Sequence, residues 1–126
     1  MNRENLISYI RDVYDTEGDR PWTDDDSVVF RHAENGKWFA LLMTGIPAAK
    51  FGKKGGGAYD VVNLKCDPSA IGALGGEGVF PAYHMNKTHW VSVRLGRGGA
   101  DDGLLKTLLD ASFYLTFPKS PGKRKR

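Results

Sequence analysis

Apolar side chains recur at helical spacing near both ends of the chain. Within residues 3–15 they are Leu6, Ile7, Ile10, Val13 and Tyr14. Spacings of three and four residues place such side chains on one face of a helix. A second helix is predicted to run to about residue 116, with the inner face Leu104, Leu105, Leu108, Leu109 and Ser112. Asp101 and Asp102 precede it, where the helix dipole favours negative charge.

Five shorter stretches between these helices have the composition of β-strands. They are residues 28–32, 37–43, 59–66, 79–85 and 89–95. The first two flank Asn35-Gly36, a pair that tolerates the positive φ angles of a type I′ hairpin turn. Pro81 confines the fourth strand to a sheet edge. Residues 44–58 contain six Gly or Pro, which predicts a long hairpin loop.

A short helix is predicted between the third and fourth strands. Asp67 can cap its exposed amides, and Pro68 suits the first helical position; Ile71 and Leu74 would be its buried contacts. The element order is then α-β-β-β-α-β-β-α. Hairpin-linked strands in this order predict an α+β fold, a two-layer domain in which helices cover one face of a five-stranded antiparallel sheet.

Composition sets the domain boundaries and the expected compartment. Residues 1–118 are predicted to form a single domain, whereas residues 119–126 have too few apolar groups to fold and are predicted to be a disordered basic tail. The single cysteine, Cys66, cannot form an intramolecular disulfide. The sequence shows no signal peptide and no apolar run of the ~20 residues that a membrane span needs. We therefore expect a cytoplasmic protein.

The charges are segregated along the chain. The net charge is +3, but residues 1–118 carry only 13 of the 18 basic side chains against all 15 acidic ones. Acidic residues concentrate in residues 1–26 and basic residues in 27–66. If these regions lie on different faces, the resulting dipole steers a charged partner. The alternative is a solvated surface of mixed charge.

Several ordered motifs resemble those of the MmcQ/YjbR family. They are Asn63-Leu64-Lys65-Cys66-Asp67-Pro68, Pro81-Ala82-Tyr83-His84-Met85-Asn86-Lys87 and His89-Trp90-Val91-Ser92-Val93. Residues 29–32 and 35–40 and the closing helix are also similar, so the resemblance covers roughly residues 4–116. The family-motif residues are Asn63, Lys65, Asp67, Pro68, His84, Asn86, Lys87 and Trp90.

This resemblance implies a small bacterial domain with a frataxin-like or secretion-chaperone-like α+β layer. It also implies the family's usual label, a "double wing" DNA-binding protein. The Gly- and Lys-rich stretch from Lys50 to Ala58 is longer and more basic than a minimal family member needs. If the hairpin of the second and third strands is a wing, this chain has enlarged it.

The leading hypothesis from the residues is low-specificity nucleic-acid binding through phosphate contacts. Phosphate-binding lysines make such binding strongly dependent on salt, and no helix-turn-helix pattern is present to read bases. The candidate residues are Lys50, Lys53, Lys54, Lys65, Lys87 and Arg94, with the tail as a helper. For the lysines of the glycine-rich loop, the alternative is that they only keep it soluble.

The segment from His84 to Trp90 allows two interpretations. Lys87 can meet a phosphate while Trp90 offers a stacking face, as in single-strand binding surfaces. Alternatively the segment is structural, with Trp90 packed under the last helix and with His84 and Asn86 satisfying turn amides.

Other chemistry is less well supported. His84, His89 and Cys66 do not have the spacing of a tetrahedral zinc site, so no metal or cofactor is predicted. Cys66 with either histidine is a conceivable dyad, but no oxyanion motif accompanies it. We therefore predict no catalytic residue and no enzyme. The alternative function is a protein-interaction module that uses the open sheet face or an edge, possibly as a dimer; the oligomeric state is not predicted.

Overall fold

Residues 1–71 and 78–118 are described by a computed structural model of the protein. The elements are α1 (Arg3–Tyr14), β1 (Val28–Arg31), β2 (Trp38–Pro47), a 3₁₀ turn (Ala48–Phe51), β3 (Ala58–Lys65), α2 (Pro68–Ile71), β4 (Val79–Pro81), β5 (Trp90–Arg94) and α3 (Asp102–Leu115). The five strands form one sheet in the order β1-β2-β3-β5-β4, and all neighbouring pairs are antiparallel. The predicted α+β fold and element order are confirmed. In this part of the chain, no helix is both long enough and apolar enough to cross a membrane.

Helix α1 begins at a capping box and is followed by Asp15, whose backbone adopts a left-handed conformation with a φ of 51°. The Asn2 side chain accepts a hydrogen bond from the amide of Asn5 at 2.8 Å, and the Asn5 side chain accepts one from the amide of Asn2. The prediction that Val13 faces inward is wrong, because that side chain is 53% exposed. Adjacent helical residues point about 100° apart, and Tyr14 takes the inward position, with its ring 5.9 Å from that of Phe39.

Helix α3 begins at a capping aspartate and is tied to the sheet by a serine. The Asp101 carboxylate accepts hydrogen bonds from the amides of Gly103 and Leu104. On the buried face of α3, the Ser112 hydroxyl donates to the carbonyl of Phe39 at 2.6 Å and accepts from the amide of Lys65 at 2.8 Å. The one polar residue of the predicted inner face thus joins α3 to β2 and β3.

The sheet is apolar on both faces. On the helix side, fully buried residues from α1, α3 and the sheet, such as Leu6, Leu64 and Leu109, form the larger core. The opposite face, which we call the open face, has four buried residues at its centre: Val29, Leu41, Met43 and Val61. Half-buried side chains cover this centre in place of a helix: Trp38, Ile46, Phe51, Tyr59, Tyr83 and Met85.

The hairpin between β1 and β2 differs from the predicted type I′ turn. Gly36 has a φ of 71°, but Asn35 does not adopt a positive φ. The loop is longer, since the amide of His32 donates to the carbonyl of Lys37 and that of Gly36 donates to the carbonyl of His32. Asn35 instead uses its side chain, which accepts from the amide of Lys37 and donates to the carbonyl of Thr116.

The connection between β2 and β3 is more ordered than its composition indicates. Strand β2 continues to Pro47 and the 3₁₀ turn follows, so the irregular loop is reduced to residues 52–57. Strand β4 is shorter than predicted but lies at the sheet edge, as Pro81 requires. Helix α2 starts where predicted, with the Asp67 carboxylate accepting from the amide of Ser69. Its predicted contact Leu74 lies outside the described residues.

We expect His32 to make stability depend on pH. The ring is 4% exposed, and Nε2 lies 3.1 Å from the carbonyl oxygen of Phe113. Burial lowers the pKa of His32, although the hydrogen bond to Phe113 opposes this shift. The unfolded chain therefore binds the proton more readily, so the free energy of unfolding should fall as pH drops below the ordinary histidine value of about 6.5 and towards the folded pKa.

Urea unfolding between pH 7.5 and pH 5 measures this effect. His32→Gln should remove the histidine component of the pH dependence, because glutamine can still donate to Phe113 without titrating. His89→Gln is the matched control at an exposed histidine. An unchanged pH dependence in His32→Gln would contradict the assignment.

Candidate functional site

Three half-buried aromatic rings from separate elements lie together at one end of the open face. Phe51 comes from the 3₁₀ turn, Tyr59 from β3 and Phe80 from β4. The Phe51 and Tyr59 ring centroids are 6.0 Å apart at an interplanar angle of 15°, and those of Tyr59 and Phe80 are 6.3 Å apart at 18°. We call these three residues the aromatic stack.

Two of the predicted cationic residues lie over this stack. The guanidinium carbon of Arg94 is 3.9 Å from the centroid of Tyr59, and the Lys53 ammonium is 5.5 Å from that of Phe80. Both distances are within cation–π range. Lys50 and Lys54 are exposed on the same connection. The structure therefore brings Lys53 and Arg94 together over the stack, with Lys50 and Lys54 close to Lys53 in the chain, and we call these four residues the basic end.

Sequence reasoning missed a further cation at the basic end. Arg97 is exposed, its carbonyl oxygen accepts a hydrogen bond from Arg94 at 3.1 Å, and it lines a 230 Å³ depression with Arg94, Tyr59 and Asp60. The sequence did contain a signal for Arg97, because it follows Arg94 by three residues across a turn at Gly96. The Asp60 carboxylate accepts from the amide of Gly45.

Of the other two predicted cations, Lys65 lies away from the basic end. Lys65 is directly opposite Trp90 in the sheet, and its ammonium is 5.6 Å from the Trp90 ring. Trp90 and Arg94 are four residues apart on β5, which separates Lys65 from the basic end by about 13 Å. Lys87 is exposed in the turn before β5 and lines a depression of about 370 Å³ with Phe80, a member of the aromatic stack. The six predicted residues thus do not form one patch.

The interpretation that Trp90 packs under the last helix is wrong. Val91 and Val93 occupy the helix side of β5, and strand alternation places Trp90 on the open face. There it is half-buried in a shallow depression with Trp38, Met85 and Thr116.

A buried polar triangle holds residues 82–85 against the open face. The Ser92 hydroxyl donates to the Asn63 side-chain oxygen at 2.5 Å. The Asn63 amide group donates to the carbonyl of Tyr83 at 2.8 Å, and the amide of Tyr83 donates to Ser92 at 2.9 Å. Asn63 and Ser92 have no exposed surface. This triangle joins one residue from each of the three sequence motifs.

The turn that follows is stabilised by only one of the two residues predicted to do so. The Asn86 side chain accepts from the amides of Thr88 and His89 at 2.7 and 3.2 Å, as expected. In the described part of the chain, His84 accepts no turn hydrogen bond. It is an exposed residue with a φ of 65° whose ring lies 4.0 Å from that of Tyr83.

The environment of Cys66 does not activate its thiol. The residue is 5% exposed, and burial raises its pKa, with the neighbouring Asp67 carboxylate adding to the increase. A reactive thiolate requires the opposite shift. Within residues 1–71 and 78–118, no group of three His, Cys, Asp or Glu side chains is arranged to hold a metal ion.

We therefore predict slow alkylation of Cys66. In the folded protein, the rate of reaction with iodoacetamide should rise with pH only above the ordinary thiol value of about 8.5. It should also be at least about tenfold slower at neutral pH than in the urea-unfolded chain, because the thiol is buried. The pH profile of the alkylation rate, followed by mass spectrometry, checks both points. A midpoint of the pH profile below 8 would instead support the dyad of Cys66 with a histidine.

A groove was not anticipated from the sequence. It occupies about 810 Å³ at one end and about 330 Å³ where it narrows towards Trp38. Its floor is Leu41 and Met43. One wall is the segment 22–26 and the other runs from Tyr83 to Met85. We call it the acidic groove because Asp24, Asp25 and Asp26 line it.

Two tryptophans mark the narrow end of the acidic groove. The Trp22 ring is 40% exposed and meets the half-buried Trp38 ring edge-to-face at 6.1 Å. The signal in the sequence was a tryptophan two residues before a run of three carboxylates, in a segment expected to be only a surface connection.

Comparison with known proteins identifies relatives over nearly the whole chain. The chain is 37% identical to "Uncharacterized protein YyaQ" of Bacillus subtilis (strain 168) over 118 residues, which are 92% of this chain and 98% of that protein. A crystal structure of a Pseudomonas syringae protein aligns with a TM-score of 0.86 and 45% identity, covering 92% of this chain and 99% of that one.

A more distant structure shares the same fold. The Deinococcus radiodurans protein DR2400 aligns with a TM-score of 0.66 and 26% identity, covering 94% of this chain and 85% of its own. The family model YjbR matches residues 11–115. Strand order, motifs and these matches agree, and the chain belongs to the YjbR family.

Proposed function

We propose that this protein binds nucleic acid with low sequence specificity, through phosphate contacts at its basic end. The observation that carries the proposal is the pair of cations, Lys53 and Arg94, held over the aromatic stack. Rings and cations at one surface are what a single strand needs, because bases stack on aromatic faces while cations meet the phosphates.

The backbone of the wing supports the same function. Residues 52–57 carry Lys53 and Lys54 among four glycines, three of them consecutive. Gly55, Gly56 and Gly57 all have positive φ angles between 76° and 92°, and added Cβ atoms would meet nothing within 4 Å. A phosphate can therefore approach the backbone closely.

Low sequence specificity is expected because the proposed contacts are to phosphates. Phosphate contacts position a protein on nucleic acid but do not read its sequence. The described helices nearest the basic end pack on the other side of the sheet, so no helix is placed to enter a groove. We place this activity in the cytoplasm.

A salt titration tests the proposal. Fluorescence anisotropy with a labelled random single strand and a random duplex should show micromolar binding at low salt. The logarithm of the affinity should fall linearly with the logarithm of salt concentration, with a slope of about −3 for four contacts on a single strand. Binding must survive deletion of residues 119–126. Affinity that vanishes with those residues would refute the basic end as the site.

The protein-interaction alternative has a different signature. Part of the sheet is already occupied, since an isolated bridge from Asp19 to Val29 protects the β1 edge and the aromatic stack covers one end of the open face. A dimer through the remaining surface would appear in light scattering as a doubled mass that is insensitive to nucleic acid.

A further inference from the structure

We propose that the basic segment 119–126 of this chain docks in the acidic groove of the same molecule. The segment follows directly on the last described residue, Pro118, and carries five cations: Lys119, Lys123, Arg124, Lys125 and Arg126. This inference does not depend on nucleic-acid binding.

The groove has the chemistry of a receptor for ammonium and guanidinium groups. Three carboxylates line it, from Asp24, Asp25 and Asp26, and Arg20 is the basic residue beside them. Hydrogen bonds from Ser27 lower the pKa of Asp25, which keeps that carboxylate ionised at neutral pH. The exposed faces of Trp22 and Trp38 can take cations by cation–π contact, and guanidinium groups stack on such rings.

The point where the described chain ends places the segment within reach. Leu115 and Thr116 line the depression that also contains Trp38 and Met85. Trp38 and Met85 also line the narrow end of the acidic groove. The path therefore begins at the end of α3, crosses Trp38 and enters the groove. Eight extended residues span up to about 26 Å, whereas Trp38 to Met43 along β2 is about 17 Å.

The order of charges fits this direction of travel. Lys37 and Lys65 line the depression at the start of the path and repel cations there. The segment carries Lys119 alone in its first half and four consecutive cations at residues 123–126. The four consecutive cations at residues 123–126 would therefore lie near Asp24 and Asp25, past Lys37 and Lys65. A short tether also keeps the effective concentration high, so weak ion pairs suffice.

A spin label on the segment tests the placement in the full chain. Gly122→Cys labelled with a nitroxide should broaden the indole N–H resonances of Trp22 and Trp38, while the buried Cys66 reacts slowly. The broadening should be strong near 0.1 M salt and weak near 1 M, where the screening length falls from about 10 Å to about 3 Å. The indole of Trp90 lies in the depression where the path begins, so it reports the tether, and its broadening should change less with salt than that of Trp22.

Charge variants separate the groove from general attraction. Asp24→Asn/Asp25→Asn should lower the equilibrium constant for docking roughly fivefold, as expected for the loss of two exposed ion pairs. The matched control Asp12→Asn/Glu17→Gln removes the same charge from exposed residues outside the groove lining and should leave the broadening unchanged.

Three outcomes overturn the proposal. The first is an absence of broadening at low salt, and the second is an equal effect of both charge variants. The third is broadening that appears in mixtures of labelled and isotopically enriched molecules, which would make a second copy the occupant. No nucleic acid is present in these measurements, so they stand or fall apart from the proposed function.

Discussion

Replacing Asn63 by alanine is expected to lower the free energy of unfolding by about 3 kcal/mol. The substitution removes the acceptor of the Ser92 hydroxyl and the donor to the carbonyl of Tyr83. The Ser92 hydroxyl is fully buried beneath residues 82–85, so water does not replace its lost partner. A buried polar group without a partner costs about 1–3 kcal/mol, and a small cavity adds to that cost.

Urea unfolding followed by tryptophan fluorescence measures the loss, and a double-mutant cycle assigns it. Ser92→Ala added to Asn63→Ala should cost much less than it does alone, because the two side chains share one network. Asn35→Ala is the matched control, since it removes an exposed asparagine with two hydrogen bonds and should cost below about 1 kcal/mol. Additive losses would show that the triangle is not a unit.

The sequence predicts the sheet well because each strand carries its own evidence. β2 is apolar at every position from 38 to 43, and both faces of the sheet are indeed covered there. Pro81 predicts an edge, and β4 lies at the edge, since a residue without an amide proton cannot sit in the middle of a ladder. The predicted cap at Asp67 is a local hydrogen bond and depends on nothing distant.

Predictions that depend on distant partners fail more often. Asn35 is read as a turn residue, but the carbonyl of Thr116 offers its side chain a partner 81 positions away. Glycines and prolines in residues 44–58 indicate a loop, whereas pairing with β3 extends β2 to Pro47. In both cases a tertiary contact overrides a local preference, and no window of neighbouring residues contains that contact.

The candidate site is predictable only in its charges. Lys50, Lys53 and Lys54 are close in sequence, so one loop necessarily carries them together. Their association with Arg94 depends on the register of β3 against β5, which pairs Val61 with Arg94. The same register separates Lys65 from them. The acidic groove is still harder to predict from the sequence. Its walls come from segment 22–26 and from residues 83–85, which meet only across the open face.

Reversing two charges in the glycine-rich loop 52–57, as Lys53→Glu/Lys54→Glu, is expected to weaken binding to a random single strand by more than about tenfold near 0.1 M salt. Two phosphate contacts are lost, so the slope of log affinity against log salt should become shallower by about 1.4. Lys53 also leaves the face of Phe80, which removes a cation from beside the aromatic stack. Anisotropy over a range of salt concentrations measures affinity and slope together.

The control must carry the same net charge, since any protein made more acidic binds a polyanion less well. Lys37→Glu/Lys106→Glu meets this need: both residues are exposed, Lys37 lies in the β1–β2 hairpin, and Lys106 lies over Tyr9 on the helix side. Long-range repulsion lowers the affinity of both double variants, but only a lost contact changes the number of counterions released. A shallower slope in the loop variant with an unchanged slope in the control therefore locates the phosphates at the basic end, whereas equal slopes would leave only a general charge effect.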